Sequence, residues 1–594
     1  MKSKEAIRKD IIHYANLTWD TPNINNLNPL VHLMIEETSH ELYLLDNKLD
    51  DIGYCVLNKL VSNLSPSMYN YIRPAHAILK INPGSPTYKL GRKINFFLKD
   101  LPDRVKNKNI SSITFTPVVD TKLFDINITH FFCDKTLWNI NDFGEKNIIA
   151  YAQKRAKYNT VWIGLEVGPG INSLKDLSFY LDFKHLPDHH EYYDFLSDIG
   201  WTINNKILKT KQGLSVNQDI PPSKIETEIL NFYKDHFQTI DTIPNLNEIQ
   251  KEILPQELME IMDNETVSSI HPLYWVSVSF PANFVQDDLM KMDIHLNAFP
   301  IINRHQNELT ILEQDLTDTA SLSSAIGQEF LDMDTVIDSK DNSYSRVNII
   351  SEEGEYTVEA IKRKTMDDPR IADYLERLVD VIHDERSAFV GIDNEKIANV
   401  LKSVSSIQGK DTHKVELNRL NEYAEVALLT VKPNDDITSI DASYWTTHAE
   451  LVNAIPDKTN LMASKILELN KSDGILLTPT SGGRNFYNPE SLKAISRFFL
   501  TSKDRILTKN DILNFCNIEL GEYTQQIDVE RKAMISHKHN EGIIIVMEIR
   551  ITPLQKHLNY LKQKGVIKDL LVRLRKRSPS NFNYVFNIIE PANK

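Results

Sequence analysis

The sequence predicts an α+β protein of several domains, with a long heptad helix near the amino terminus, two β-rich middle domains and a C-terminal α+β module of ferredoxin-like order. Three observations predict it. Apolar positions from Val31 to Val56 recur alternately four and three residues apart, the spacing of a packed helical seam. Short β-type runs separated by Gly, Pro and Asn turn signals fill the middle of the chain. Toward the end, strand and helix patterns alternate in the order strand, helix, strand, strand, helix, strand. A chain of 594 residues, 41% hydrophobic and 25% charged, has material for roughly four folded domains.

Asn28-Pro29 supplies an N-cap and a first-turn proline, and Glu36 and Glu37 follow. The seam then runs through Val31, Ile35, Leu42, Leu45, Leu49, Ile52 and Val56, with Thr38 filling one slot. A helix over residues 30–63 is roughly 50 Å long at about 1.5 Å per residue. Gly53 costs it about 1 kcal/mol relative to alanine. Burying seven apolar side chains is worth on the order of 10–20 kcal/mol gross, so the seam calls for partner helices, from this chain or another.

Past Pro66 the expected strands are 76–81, 113–119, 161–167 and 178–183, with turns at Asn82-Pro83-Gly84 and Gly168-Pro169-Gly170. Residues 223–237 read as a helix and 243–254 as a polar connection into a short helical stretch. A second β-rich block holds candidate strands 273–280, 293–297 and 346–350. Residues 367–390 are helical in period, and 402–417 read as an exposed loop. The last part reads as strand 474–478, helices 489–500 and 509–516, strands 526–535 and 543–552, helix 554–574 and strand 583–589. Thr508 and Asp511 have capping-box spacing. The expected organisation is a bundle-forming segment 1–70, a first β-rich domain 71–215, a helical connection 216–265, a second, wing-like β-rich domain 266–400, a connecting α/β region 401–480 and an assembly domain 481–594.

With 67 Lys and Arg against 81 Asp and Glu, the formal net charge is −14, a bulk field that opposes nucleic acid. The dense basic stretch near the end includes Lys562, Lys568, Arg573, Arg575 and Arg577, alternating with Leu558, Leu561, Val566, Leu570, Leu571 and Leu574. It reads first as a helix with a solvated basic face, next as a docking face for an acidic protein, and last as a nucleic-acid site, since no aromatic residues interleave to stack bases. Cys55, Cys133 and Cys516 are too far apart in sequence for a disulfide scaffold or a CxxC knuckle. No apolar run approaches the ~20 residues of a bilayer-spanning helix, and no secretory signal is evident, so a cytoplasmic protein is expected.

Chemistry is sparse. Glu37 and His40 have the spacing of paired ligands on one helix face, and Asp380 with His383 could mirror them, but two further inward carboxylates are missing. His185, Asp188, His189, His190 and Glu191 cluster around Pro187, which reads mainly as a polar turn and secondarily as the centre of a metal-dependent hydrolase. Gly164 to Gly170 lacks the Lys-Ser/Thr ending of a phosphate loop. Thr480-Ser481-Gly482-Gly483-Arg484 lacks the Gly-x-Ser-x-Gly order of a nucleophile elbow and reads as a flexible turn carrying an arginine. No catalytic residue, metal site or cofactor is assigned, and an assembling rather than a transforming protein is expected.

Several segments resemble, in order, the TssF family of type VI secretion baseplate wedge subunits, itself akin to wedge proteins of contractile phage tails. They are Asn28-Pro29-Leu30, Lys48-Leu49-Asp50-Asp51, Arg73-Pro74-Ala75-His76-Ala77-Ile78-Leu79, and Leu177 to Leu181 followed by Tyr192 to Leu196. The most specific is Phe280-Pro281-Ala282-Asn283-Phe284 with Leu296 to Asn303, similar to the family's Phe-Pro-Glu-x-Phe and Asn-Cys-x-Pro-x-x-Asn, with Ala298 in place of the cysteine. Arg505 to Ile512 resembles the Arg-x-x-Thr-x-x-Asp signature of baseplate-J-like domains. The departures point to a divergent lineage such as the variant systems of Bacteroidetes. The resemblance implies a non-enzymatic wedge subunit that joins a second TssF copy and TssG through a helical bundle. It also implies contacts with TssK, TssE and the VgrG spike hub, in the cytoplasm, docked at the inner membrane through the secretion complex, with no nucleic acid and no direct membrane insertion. Under it, the seam residues become the bundle interface and the basic C-terminal helix a wedge contact. A subunit of a phage tail or an extracellular contractile injection particle is the nearest alternative.

Overall fold

A computed structural model describes residues 4–19, positions 31, 34–43 and 45, most of 72–362, most of 425–485 and most of 495–589. Its architecture mixes helices with several sheets and a barrel, as the α+β expectation requires. The chain divides into two compact units. One comprises residues 72–485 with 536–542, and the other residues 1–71 with the remainder of 486–594.

In the larger unit, six strands among the described residues close a barrel in the order His76–Lys80, Ala298–Asn303, Thr114–Pro117, Phe96–Leu98, Asn460–Ala463 and Gly474–Leu476. Its first strand follows from composition, because Ala77, Ile78 and Leu79 are all fully buried. Inside sit Phe96, Phe115, Phe299, Ile301, Leu461 and Leu476.

A ten-stranded sheet lies beside the barrel in the same unit, in the order Asp293–His295, Ser178–Asp182, Phe237–Thr242, Lys206–Gln212, Gly200–Ile203, Tyr274–Ser279, Thr160–Val167, Ile126–Cys133, Thr136–Ile140 and Lys146–Tyr151. Thr160–Val167 is buried along six consecutive residues, which explains its continuous apolar run. A three-stranded sheet (His305–Leu312, Ser439–Thr447, Glu329–Asp338) and a four-stranded one (Thr319–Leu322, Glu425–Lys432, Glu355–Lys362, Ser345–Arg346) share a further core around Leu322, Phe330, Ile440 and Tyr444.

These pairings correct the domain boundaries drawn through the middle. Lys206–Gln212 pairs with Phe237–Thr242, and Gly200–Ile203 with Tyr274–Ser279, so the breaks at 215 and 265 fall inside one sheet. The stretch 216–265 holds the expected helix, Lys224–Tyr233, but also that strand. The break at 400 separates two strands that pair directly, Glu355–Lys362 and Glu425–Lys432. Among the described residues, candidate strand 346–350 is reduced to Ser345–Arg346. Residues 363–424, which include the expected helix 367–390 and the expected loop, lie outside the described residues.

In the smaller unit, Lys4–Trp19 is a helix that the sequence reading omitted. Residues 34–43 are helical as expected, and Arg8 Nε meets Glu36 Oε1 at 2.8 Å. The C-terminal part carries a three-stranded sheet, Thr524–Ile535, Ile543–Pro553 and Asn583–Ile588, antiparallel then parallel. Helices Lys509–Leu520 and Lys564–Arg577 cover it over a core of Ile512, Phe515, Ile549, Ile551, Leu570 and Leu574. The ferredoxin-like order is therefore corrected. Gly474–Leu476, taken as its first strand, closes the barrel instead, with Leu79 opposite Leu476 and Leu461 opposite Gly474. The Thr508 capping box forms: its hydroxyl accepts the Asp511 N–H at 3.2 Å, and the Asp511 carboxylate accepts the Thr508 N–H at 2.9 Å.

Candidate assembly interface

The stretch with the most specific sequence pattern, Phe280 to Phe284 and Leu296 to Asn303, occupies a structural junction. Phe284 is buried among Phe280 at 5.0 Å, Tyr192 at 4.8 Å and Phe183 at 5.9 Å. Asn297 stands at the head of barrel strand Ala298–Asn303 with φ of +55°, the left-handed region that asparagine tolerates better than most residues. Its side-chain amide accepts the Phe124 N–H at 2.9 Å and donates to the Phe124 carbonyl at 2.8 Å. One side chain thus does what a neighbouring strand residue would do. Asn303, at the other end, donates to the Thr114 carbonyl at 2.8 Å and accepts the His448 N–H at 2.9 Å and the Thr447 hydroxyl at 3.0 Å. Both asparagines are buried with their polar atoms bonded, which is what buried amides require.

The next residue extends the junction. Arg304, 4% exposed, donates from Nη1 to Glu226 Oε1 at 2.7 Å, from Nε to Thr116 Oγ1 at 2.6 Å and from Nη2 to the Pro117 carbonyl at 3.1 Å. Its guanidinium lies 4.1 Å from the Trp445 ring centre. Burial pulls its pKa below the usual arginine value, and the Glu226 carboxylate beside it works in the other direction. Glu226 also completes the capping box of helix Lys224–Tyr233, accepting the Ser223 N–H at 2.8 Å. Asp334, in strand Glu329–Asp338, pairs with Arg92 at 3.3 Å and Lys93 at 2.8 Å. These ion pairs tie the barrel to a helix and to a wing strand. The sequence reading missed Asn297, Asn303 and Arg304 as structural pins; polar residues abutting the apolar run 298–302 were the available signal.

The predicted helix seam is half open. Ile35 is buried, whereas Leu42 is 42% and Leu45 54% exposed, and Val31 is half-buried. What this chain covers is the Ile35 and Ser39 pair, four residues apart, while Thr38 stays exposed and bonds the Met34 carbonyl. The open positions are the ones a heptad partner would use. Leu49, Ile52 and Val56 lie outside the described residues.

The basic C-terminal face needs correcting at one position. Arg573 is buried and pairs with Glu519 at 2.6 Å, joining helices Lys564–Arg577 and Lys509–Leu520. Arg575 is exposed, and Arg577 lies 5.3 Å from the Phe515 ring centre. Lys568 falls within the helix, and Lys562 lies outside the described residues.

The chemical alternatives gain no geometry. Among the described residues no group of three or more His, Cys, Asp or Glu is placed to hold a metal ion. Glu37 and His40 are both exposed. The cluster from His185 to Glu191 lies outside the described residues. Burial, with Asp134 nearby, pushes the Cys133 thiol up to about 12, and burial with Glu519 raises that of Cys516, so neither is a thiolate nucleophile at neutral pH. The segment Thr480 to Arg484 is not a flexible turn. Thr480 is buried, Ser481 bridges to His76, Arg484 bridges to Arg73, and a Cβ on Gly483 would stand 2.3 Å from the Ala449 carbonyl oxygen. Among the described residues no helix is long and apolar enough to cross a membrane.

No protein-family model matches the chain, and no curated protein matches it. Solved structures that align along most of it include two baseplate chains. One is a chain of the type VI secretion system TssK-TssF-TssG baseplate subcomplex, 10% identical, TM-score 0.39, covering 94% of this chain and 96% of that one. The other is a chain of the baseplate complex from the type VI secretion system, 10% identical, TM-score 0.36, covering 97% and 92%.

Proposed function

We propose that this chain is a structural, non-enzymatic subunit of a type VI secretion baseplate, of the TssF kind. It joins a second copy of itself and TssG into a wedge, meets TssK, TssE and the VgrG spike hub, and acts in the cytoplasm, docked at the inner membrane through the secretion complex. One observation carries the reading: the stretch most similar to the TssF pattern is the one whose side chains pin the barrel. Asn297 and Asn303 bracket strand Ala298–Asn303 and bond backbone groups of other segments at both ends, so the pattern Asn-x-x-Pro-x-x-Asn has a mechanical reason here. Replacement of the pattern's cysteine by the buried Ala298 fits that reason, since the position only fills space.

A wedge subunit has to transmit load without deforming, and a closed barrel with satisfied buried amides suits that task. Its bundle contact is the open side of the amino-terminal helix. Leu42 and Leu45 each keep about half of their surface available, worth about 1 kcal/mol apiece when a partner helix covers it.

The test is co-purification of the full chain with the TssG-like product of a neighbouring gene. The double change Leu42→Asp with Leu45→Asp should lower recovery of the complex at least a hundredfold, because it removes that gain and also buries two carboxylates. The circular dichroism and thermal melting of the chain alone should stay unchanged, since both side chains face solvent in it. Undiminished co-purification would show that the seam is not the joint.

A further inference from the structure

The two sheets that share the core around Leu322 and Tyr444 form a wing, residues 305–447, inserted in sequence between strands of the barrel. The wing's core is drawn wholly from residues 311–444 and the barrel's from residues outside 305–447, so the two cores have no side chain in common. The chain crosses between them twice, side by side. It leaves barrel strand Ala298–Asn303 through Arg304 into strand His305–Leu312, and it returns from strand Ser439–Thr447 through His448. Polar groups hold the crossings together. Asn303 accepts the His448 N–H at 2.9 Å, the Thr447 hydroxyl donates to the Asn303 carbonyl at 2.8 Å, and Asp334 of the wing pairs with Arg92 and Lys93. Modules with separate cores and a polar joint move relative to one another by default.

A histidine stands at each crossing, His305 on the way out and His448 on the way back. We propose that the wing is a hinged arm that turns on the barrel at this neck, and that proton uptake by His305 and His448 opens it. Just past His448, Ala449 is fully buried with φ of +45°. Alanine in the left-handed region is strained and persists only where its surroundings over-determine it. Here they do so through the neck itself, since the Ala449 N–H is held by Thr447 Oγ1 at 3.1 Å and the preceding one by Asn303. The strain therefore favours the open arm. Around the rings there is little to welcome a second charge. Strand Thr114–Pro117 offers His305 Nδ1 only the Thr114 hydroxyl, at 3.4 Å, and carries no charged residue. The cation between them, Arg304, is engaged by Glu226, and Asp334 by Arg92 and Lys93. Glu308 is exposed and Glu450 half-buried, and neither offsets the effect of burial on the rings. Burial and His305 hold His448 at about 4, and burial lowers His305 as well. An open neck hydrates both rings and lets them charge. The hinge rests on neither the baseplate reading nor the helix seam.

The test is hydrogen–deuterium exchange of the purified full chain at about pH 7.5 and about pH 5, with labelling times scaled to hold the intrinsic exchange rate constant. The amides of His448, Ala449 and Glu450 report the neck, because their partners are the Asn303, Thr447 and Asn485 side chains. Their scaled exchange should be about thirtyfold faster at pH 5, the factor by which a ring of pKa about 4 closed and 6.5 open favours opening. Wing strand Ser439–Thr447 and sheet strand Thr160–Val167 should keep their protection, since the arm turns without melting. His305→Gln with His448→Gln should abolish the acceleration. His305→Gln alone, at a half-buried ring that disturbs less packing, should lessen it. Exchange at the neck that does not accelerate overturns the proposal. So does acceleration that survives the double change or is undiminished by the single one, or that spreads equally to either strand.

Discussion

Replacing Arg304 by methionine should be among the most damaging single changes in the larger unit. The guanidinium donates to Glu226 at 2.7 Å, to Thr116 at 2.6 Å and to the Pro117 carbonyl at 3.1 Å, and it packs over Trp445. Methionine keeps much of the volume over the ring but none of the donors. Glu226, 2% exposed, then keeps its Ser223 N–H and a more distant Arg92 at 3.9 Å, too little to compensate a buried carboxylate. Breaking a buried pair from one side costs about 3–5 kcal/mol, chiefly through the charge left behind. Glu226→Gln added to Arg304→Met removes that charge, so the double variant should recover about 1–3 kcal/mol relative to Arg304→Met alone. Urea unfolding followed by tryptophan fluorescence is a suitable assay, because five of the six tryptophans (Trp138, Trp162, Trp201, Trp275 and Trp445) lie within residues 72–485. A cost below about 1 kcal/mol for Arg304→Met, or a double variant less stable than the single one, would refute the reasoning, since neither fits an orphaned buried charge.

Two further expectations concern the same unit. His448 is buried, and burial together with the nearby His305 holds its pKa at about 4 against 6.5 for the free side chain. The unfolded chain therefore takes up a proton at His448 below pH 6.5 while the folded one does not until about pH 4. Stability should fall through that window by about 3 kcal/mol in total from this group, with no further loss below it. His448→Gln should shrink the difference between urea midpoints at pH 7 and pH 5, and an unchanged difference would mean that the ring is not held neutral. Gly483→Ala should destabilise by more than about 2 kcal/mol in the same assay, because the added carbon meets the Ala449 carbonyl while Asn453 grips Gly483 from both sides, accepting its N–H at 2.8 Å and donating to its carbonyl at 2.7 Å. A neutral substitution there would mean that the two segments separate easily.

What could be read in advance was what neighbours in sequence decide. The Thr508 and Asp511 spacing encodes a helix start within four residues, and that cap forms. Strand Thr160–Val167 announces itself because both of its faces are covered. Partnership between distant segments left no such mark. Gly474–Leu476 looked like part of the last module because it precedes its helices, yet its neighbour is a strand some four hundred residues earlier, Leu79 opposite Leu476. The wing strand His305–Leu312 is mostly polar, with Ile311 its one buried residue, and offered too little apolar contrast to be noticed. Counting cations along helix Lys564–Arg577 could not separate Arg573, engaged by Glu519, from Arg575 in solvent, because the acid comes from another helix. Asn297 closed the expected strand 293–297, whereas the strand formed is Asp293–His295 and the Asn297 amide bonds the Phe124 backbone as a neighbouring strand residue would.

The bridge between Arg73 and Arg484 has a mechanical corollary. These residues stand near the first and last positions of the continuous stretch 72–485, and each donates its N–H to the other's carbonyl, at 3.0 and 2.8 Å. The polypeptide thus enters and leaves some four hundred residues of structure through a single clasp. A pull applied along the chain from either side meets that clasp before it reaches the Ser481 link to His76, the first residue of barrel strand His76–Lys80. Tension would open the doorway a few backbone hydrogen bonds at a time, from the Arg73–Arg484 pair inward to the seam between barrel strands His76–Lys80 and Gly474–Leu476.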